Sequence, residues 1–311
     1  MFRKIGWVFA ALLSLAAITL FVLLQRANTE ILPLDNAARA EAPGQFVELT
    51  AGLTHYDIAG PESGPVVILV HGFSVPYYIW DTMFASLADA GFRVVRFDLF
   101  GRGYSDRPDT DYNGKLFEGQ IVDLIASLEL DSPVDVVGLS MGGAVTMRFA
   151  ANHPELVRKI VLVDPAHKAS ATPKLPQFIG KHLLALTYFP HAADGQMTDF
   201  LYPGNYPTWV DQYRVQMTYE GFRRAITSTI YNFGTEDHLA NYRKVQELGT
   251  PVKLFWGTED QTLDISGADT VQGVLDVDYL PVEDAGHLPH IEQADIVNLA
   301  IVEYLSDVFE P

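Results

Sequence analysis

The sequence predicts an α/β fold in which a mostly parallel β-sheet carries helices on both faces. Short runs of consecutive apolar residues recur along the chain, as at 66–70, and such runs are typical of strands buried on both faces of a parallel sheet. Helical patterns separate these runs; residues 115–128, for example, place apolar side chains on one helical face. Strands that alternate with helices of this length imply right-handed crossovers. The 311 residues suffice for one large domain with an insertion.

Composition excludes several classes of function. The chain has no cysteine, so disulfides, thiol catalysis and thiolate metal sites are excluded. Its formal net charge of −18 argues against a nucleic-acid partner and against electrostatic docking on anionic lipid. The sequence leaves the oligomeric state open.

The N-terminus differs from the rest of the chain. A short basic segment at 1–4, with Arg3 and Lys4, precedes the uncharged stretch 5–24. At about 1.5 Å per residue this stretch spans about 30 Å, the thickness of a bilayer's hydrocarbon core. It is longer than the usual signal-peptide core, and no small-x-small site closes it. We expect an uncleaved signal anchor, with a cleaved secretory signal as the alternative. The basic residues favour a cytoplasmic N-terminus and an extracytoplasmic domain.

The remaining chain divides into a linker, a core and an insertion. Residues 25–43, with alanine, asparagine and two prolines, are typical of a linker, and a flexible one would reach about 25 Å. The core is expected at 44–166 and 246–311. The insertion, expected to form a helical lid, occupies 167–245.

The predicted core elements follow in chain order. Strands are expected within 46–59 (two, joined by a turn at 51–52), at 66–70, 92–100, from 134 and at 160–163, and after the insertion at 252–256 and 277–281. Helices are expected at 79–88, 115–128, 144–151 and 291–305. The insertion therefore follows the sixth strand.

Aromatic residues are concentrated in the insertion, where the strand–helix alternation stops. We expect several short helices that cover the C-terminal edge of the sheet, where ligands bind in open α/β folds. Most of the aromatics are expected to fill the core of the lid, and the rest to line an apolar pocket. They are Tyr188, Phe189, Phe200, Tyr202, Tyr206, Trp209, Tyr213, Tyr219 and Phe222.

The stretch 134–143 has the pattern of a nucleophile elbow. A β-branched run ends in Gly-x-Ser-x-Gly, and an alanine-rich helical pattern follows at once. Gly138 and Gly142 flank Ser140 because a Cβ at either position would collide with the neighbouring chain. The turn would expose the Ser140 hydroxyl above the sheet, with a helix N-terminus behind it to stabilise negative charge.

A serine hydroxyl needs a base to take its proton, and histidine titrates in the right range. His287 follows a predicted strand through a tight turn at the C-terminal edge of the sheet. His290 is its rival, although the intervening Pro289 favours a helix-entry role for it. His71, next to Gly72, is expected to brace a loop by hydrogen bonding.

A carboxylate must orient the base and stabilise its protonated form. Asp260 ends a predicted strand at the same edge, and Asp164, which ends the strand after the elbow, competes with it. Glu259 and Asp264 lack such a placement. The oxyanion hole is expected to use the backbone N–H groups of Met141 and Phe73.

These residues resemble the α/β-hydrolase superfamily from about Gln45 to Leu305. The matching motifs are His71-Gly72, the stretch from Asp98 to Ser105, the stretch from Gly138 to Gly143, the stretch from Trp256 to Asp260, and Gly286-His287. The resemblance implies the fold, the chain order Ser, Asp, His, no metal and no cofactor. Serine at position 140 is unlike the haloalkane dehalogenases and epoxide hydrolases of that superfamily.

The leading hypothesis is a serine hydrolase of lipophilic, monoacylglycerol-like carboxylic esters, acting through an acyl-enzyme on Ser140. A C–C bond hydrolase of the ring-cleavage type is the alternative, and a basic lid residue that grips a substrate carboxylate would favour it. Arg214, Arg223 and Arg224 are the candidates. Thioesterase and lactonase activities also stay open. A non-enzymatic, hydrolase-like binding protein is disfavoured because such proteins usually lose a triad member.

Overall fold

The computed structural model describes residues 2–307. Met1, the side chains at 2–4 and 8, and residues 308–311 lie outside the described part, so the basic character expected at 1–4 and the last residues of the expected core segment 246–311 have no structural account.

The described residues form an eight-stranded sheet in the order β1-β2-β4-β3-β5-β6-β7-β8. β1 and β2, and β2 and β4, pair antiparallel, and all other neighbours pair parallel. The predicted fold class is confirmed. The strands are β1 (Gln45–Leu49), β2 (Gly52–Ala59), β3 (Val66–Val70), β4 (Arg93–Phe97), β5 (Val134–Leu139), β6 (Val157–Val163), β7 (Val252–Gly257) and β8 (Asp278–Val282).

Helices lie on both faces of this sheet, with α4 and α5 on one and α3 and α13 on the other. In chain order, the α-helices of the described residues are α1 (Phe2–Arg26), α2 (Asn36–Ala40), α3 (Asp81–Asp89), α4 (Gly114–Ser127), α5 (Met141–Asn152), α6 (Gln177–Thr187), α7 (Ala192–Gly195), α8 (Trp209–Met217), α9 (Phe222–Tyr231), α10 (His238–Leu248), α11 (Ser266–Gln272), α12 (Pro289–Glu292) and α13 (Ala294–Ser306). The predicted closing helix is thus two helices, α12 and α13.

The central strand β3 shows why its sequence is continuously apolar. Val66, Ile68 and Val70 belong to the apolar cluster that contains α4 and α5, whereas Val67 and Leu69 belong to the cluster that contains α3 and α13. Successive side chains of a strand point to opposite faces, so a strand covered by helices on both sides has no polar position.

The chain between β6 and β7 contains the five helices α6 to α10. Phe189, Phe200, Trp209 and Tyr213 are buried together in an apolar cluster that continues into the core. The last helix, α10, packs against α5, and the expected lid boundary at 245 falls inside it. We use "cap" for the insertion up to α9.

Residues 28–32 are docked on the cap. Ile31 N–H donates to the Thr218 carbonyl oxygen at 2.9 Å, and Glu220 N–H donates to the Leu32 carbonyl oxygen at 2.9 Å. The Glu30 carboxylate accepts the backbone N–H of Arg223 at 2.6 Å. Composition carries no signal for such long-range pairing, and the expectation of a flexible linker is wrong for this segment.

The helix α1 precedes this docked segment. Within it, Ile5–Arg26 is long and apolar enough to cross a membrane, and no part of its most apolar window is buried against the protein. A secretory signal sequence near an N-terminus can meet the same criteria of length and composition. The assignment of α1 as an anchor is therefore taken up below as a proposal.

Candidate active site

Ser140 lies at the sharp turn between β5 and α5. Its backbone has φ 53° and ψ −121°, a conformation that L residues seldom adopt and that persists only where the surroundings enforce it. A Cβ on Gly138 would lie 2.5 Å from the Thr146 hydroxyl oxygen, and one on Gly142 would collide with the Val70 carbonyl oxygen. Both glycines are therefore required by close packing, as the sequence predicts.

His287 and Asp260 form a buried pair at the C-terminal edge of the sheet. His287 Nδ1 lies 2.7 Å from Asp260 Oδ2. The other carboxylate oxygen, Oδ1, accepts the N–H groups of Thr262 at 2.7 Å and Leu263 at 2.9 Å. These bonds hold the carboxylate in place, so His287 Nδ1 donates its proton to Oδ2 and the ring presents Nε2 as its basic nitrogen.

The electrostatic surroundings favour the protonated form of His287. Burial lowers the pKa of His287, but its hydrogen bond to Asp260 and the negative charges of Asp260 and Asp199 outweigh burial and raise the pKa above 6.5. A proton received at Nε2 is thus stabilised. This is the electrostatic requirement for a general base in a serine hydrolase.

Asp164, the competing carboxylate, lies in the same cluster but is not the partner of His287. A carboxylate oxygen of Asp164, one of Asp260 and a ring nitrogen of His287 lie within 4.8 Å of one another. Asp164 Oδ1 accepts the Gly257 N–H at 2.9 Å. Burial, and then the neighbouring Asp260, raise the pKa of Asp164 well above its usual range and so favour the neutral form of this carboxyl group.

Asp164, Asp260 and His287 are also residues of the types that bind metal ions. His287 Nδ1 and Asp260 Oδ2 are hydrogen-bonded to each other, with a proton between them. A metal ion would need these two atoms free and deprotonated. A neutral Asp164 is also a poor ligand, because carboxylates bind metals in their ionised form. The arrangement therefore suits proton transfer better than metal binding.

Two other buried histidines have structural contacts. His71 Nε2 accepts the Leu99 N–H at 2.9 Å, so its Nδ1 carries the proton and donates to the Gly72 carbonyl oxygen at 2.9 Å. Burial lowers the pKa of His71 to about 4, and that of His290 to about 3. His290 Nε2 is bonded to the Ile79 carbonyl oxygen at 3.1 Å. Both rings are neutral packing groups.

Two cavities have Ser140, Phe73 and Thr262 in common among their lining residues. The first, about 180 Å³, is also lined by His287 and Leu288. The second, about 260 Å³, is also lined by Met141, Ile230, Phe233, Lys168 and His238. Ser140 and Phe73 thus line both cavities, His287 lines the first and Met141 lines the second. A direct Ser140–His287 hydrogen bond is not formed among the described residues.

The loop that contains Phe73 is held by side chains that the sequence analysis did not single out. Arg102 is fully buried, and its Nε donates to the Phe73 carbonyl oxygen at 2.8 Å. Gln216 on α8 donates to the Ser74 carbonyl oxygen at 2.8 Å. Arg102 lies within a motif that was noted only for its resemblance, and no local pattern assigns it a contact.

The remaining candidates lie away from these cavities. Arg214 pairs with Asp194 on the cap surface at 2.7 Å, while Arg223 and Arg224 line a separate cavity. Glu259 and Asp264 are exposed and do not belong to the His287 cluster. Lys168, which the sequence analysis missed, is a basic residue that lines the larger of the two cavities at Ser140.

Residues 65–294 match the protein family described as the alpha/beta hydrolase fold. The chain is 27% identical over 282 residues to the AB hydrolase superfamily protein YfhM of Bacillus subtilis, covering 85% of this chain and 98% of that protein. It is 25% identical over 284 residues to epoxide hydrolase 4 of Homo sapiens, covering 81% of this chain and 75% of that protein.

A solved structure shows the same architecture. The enol-lactonase from Burkholderia xenovorans superposes with a TM-score of 0.74 at 22% identity, covering 85% of this chain and 100% of that one. At this identity the likeness is one of fold. Substrate and reaction must be argued from the site itself.

Proposed function

Because this chain belongs to the α/β-hydrolase family, we propose that it is a serine hydrolase that cleaves lipophilic carboxylic esters through an acyl-enzyme on Ser140. One observation carries the proposal: a strained elbow serine shares its cavity with a buried histidine whose other nitrogen is bonded to a carboxylate. Nucleophile, base and orienting acid are the parts that acyl transfer needs.

The proposed reaction has two halves. Ser140 Oγ attacks the ester carbonyl carbon while His287 Nε2 takes its proton, and the N–H groups of Phe73 and Met141 stabilise the oxyanion. The C–O bond to the alcohol then breaks, and Nε2 returns the proton to the leaving oxygen. A water attacks the acyl-enzyme with Nε2 again as base, the acid leaves, and the proton returns to Ser140.

The walls of the cavities favour an apolar substrate. Ile230, Phe233 and Leu263 line the larger cavity and Ile79 and Leu288 the smaller one. We assign one cavity to the acyl group and the other to the alcohol, since Ser140 lies where they meet. The cap then acts as a lid that excludes water from both. Among lipid esters, monoacylglycerols have a size and polarity that fit.

One observation favours a second candidate. The Lys168 ammonium lines the larger cavity and would pair with a substrate carboxylate, as a ring-cleavage C–C hydrolase requires. The arginines considered for this role line other surfaces. Thioesters and lactones would use the same nucleophile and base as esters, so a substrate panel must include all these classes.

We also propose that α1 remains as an uncleaved anchor, with the catalytic domain on the extracytoplasmic side. Its apolar stretch is long enough to span, and the segment that follows is docked on the cap. A retained α1 would hold the cap close to the bilayer, where lipid esters are concentrated.

A fluorophosphonate probe tests the nucleophile. The full chain should be labelled at Ser140, Ser140→Ala should lose labelling and ester hydrolysis, and Ser170→Ala should keep both. Ser170 is a fair control because it lines the same cavity. Labelling that persists in Ser140→Ala, or a wild-type protein inert on p-nitrophenyl esters, monoacylglycerols, thioesters and lactones, would overturn the proposal. Turnover of a ring-cleavage product alone would select the second candidate.

A further inference from the structure

A cavity with basic walls lies between α6 and α9, apart from the Ser140 site. Its volume is about 310 Å³, and Lys181, His182, Arg223 and Arg224 contribute to its lining. The walls are completed by Gln177, Ala185 and Thr227. Three permanent cations around one cavity are unexpected in a chain whose formal net charge is −18. Local charge there opposes that of the whole molecule.

Helix α6 also carries exposed apolar residues beside the cavity, which we call its apolar stripe. Gln177, Lys181 and Ala185, spaced by four residues, line the cavity. Around the helix, Phe178 lies between Lys181 and His182, and Leu183 lies beyond His182; they are 68% and 51% exposed. Leu175 and Ile179 extend the exposed apolar surface. Basic and large apolar side chains that are exposed together on one helix are typical of a lipid–water interface.

The position of α1 brings this surface to a membrane. α1 contacts α6, and Asn28, which follows α1 directly, accepts a hydrogen bond from Arg223 Nη1 at 3.0 Å. The Glu30 carboxylate is bonded to the Arg223 backbone N–H. The cavity therefore lies within a few residues of the point where an anchored α1 would leave the bilayer.

We propose that this cavity binds the phosphate of an anionic phospholipid, while the apolar stripe of α6 contacts the acyl chains. Lys181, Arg223 and Arg224 supply the charge that a phosphodiester needs, and basic pockets beside membrane helices recognise head groups in this way. The occupant is a lipid of the leaflet from which α1 emerges. The proposal rests on the anchoring role proposed for α1 and is independent of the chemistry at Ser140.

Two carboxylates lie near these cations without lining the cavity. Asp109 pairs with Arg224 at 3.2 Å and is 94% exposed, so solvent screens much of its charge. Glu30 faces the Arg223 backbone amide. Lys181 and His182 lie on the opposite wall. The cavity lining thus keeps an excess of positive charge.

Lipid retention by the full-length protein in detergent tests the site. Native mass spectrometry would measure the fraction that carries phosphatidylglycerol or phosphatidylcholine of identical acyl chains. We expect phosphatidylglycerol to be retained preferentially, and the double variant Lys181→Gln/Arg224→Gln to reduce its retention on the order of tenfold. The control Lys115→Gln/Arg214→Gln removes two cations elsewhere and should retain lipid like the wild type. Thermal melting followed by circular dichroism verifies that each variant is folded.

Three outcomes would overturn the proposal. They are equal retention of the two lipids, equal losses in the double variant and its control, and displacement of phosphatidylglycerol by soluble glycerol phosphate at equal concentration. The last would identify a site for soluble anions. Should the double variant fail to fold, Lys181→Gln alone decides, because Lys181 is exposed on α6. Release of the wild type from membranes by carbonate would instead contradict the anchoring of α1.

Discussion

Arg102 Nε donates to the carbonyl oxygen of Phe73 at 2.8 Å, which places a fully buried guanidinium behind the proposed oxyanion loop. Its other bonds also go to neutral acceptors, the Phe100 carbonyl oxygen at 3.0 Å and the Thr229 hydroxyl at 2.9 Å. Burial lowers the pKa of Arg102 only to about 10, so the group stays charged at neutral pH. Arg102 thus ties the loop to α9 of the cap.

We expect Arg102→Met to lower kcat by at least about tenfold, with a smaller effect on KM. Loss of an oxyanion donor costs roughly 10²–10³ in kcat, and a loop that is only loosened should lose less. Arg102→Lys should recover part of the rate by restoring one donor. Initial rates per active site, titrated with a fluorophosphonate, are the measurement.

Arg107→Met is the matched control. Arg107 is half-buried and also bonds backbone carbonyls, at Gly103 and Gln216 among others, but does not contact the loop. Each variant leaves buried carbonyls unpaired, at about 1–3 kcal/mol per group, so both should melt at lower temperature. Equal kcat in the two variants would reduce Arg102 to a structural residue.

The orienting acid is tested by two isosteric substitutions. Asp260→Asn removes the charge that His287 Nδ1 faces and should lower kcat by about 10⁴ with KM little changed, by analogy with the trypsin-type triad. Asp164→Asn should have little effect, because His287 is bonded to Asp260 and the raised pKa of Asp164 favours its neutral carboxyl. Steady-state kinetics on a soluble ester decide. The reverse ranking would move the acid to Asp164.

The pH profile reports the protonation of His287. Only the neutral ring accepts the Ser140 proton, so kcat/KM should rise with pH and level off above a midpoint higher than 6.5, since the pKa of His287 is raised. Part of this shift comes from the negative charge of Asp199. Asp199→Asn should therefore move the midpoint to lower pH.

Asp194→Asn is the control for that shift, because Asp194 is an exposed cap residue paired with Arg214. Its midpoint should match the wild type. A kcat/KM midpoint at or below pH 6.5 in the wild type would contradict the electrostatic account of the base. So would a midpoint that Asp199→Asn leaves unchanged.

The positions of Ser140, Asp260 and His287 were predictable because each follows a strand whose apolar run is evident in the sequence. Parallel strands bring their C-terminal ends to one edge, so residues far apart in the chain become neighbours by topology. Arg102 and Thr229 are 127 residues apart, and Glu30 and Arg223 are 193 apart. No periodicity reports such pairs, since they depend on how the cap settles on the core.

The docked segment at 28–32 leads to the last prediction, which compares two truncations. Removing residues 1–27 deletes α1 but keeps Glu30 and the backbone bonds to the cap, so kcat on short, soluble esters should match that of the full chain. Removing 1–34 also deletes three backbone hydrogen bonds, worth roughly 2–4 kcal/mol together. This second protein should expose the cap to proteolysis and melt at lower temperature.

Activity on membranes separates anchoring from docking. Long-chain monoacylglycerols in vesicles should be cleaved more slowly by both truncated proteins, because each has lost the local concentration that α1 provides. The full chain should stay in membranes after a carbonate wash at its uncleaved mass. If expression of the full chain gives a soluble product that begins near Ala40, a cleaved signal is established instead. Identical melting and proteolysis of the two truncated proteins would show that the 28–32 contacts contribute nothing to the cap, and the anchor would then hold the domain only through a tether.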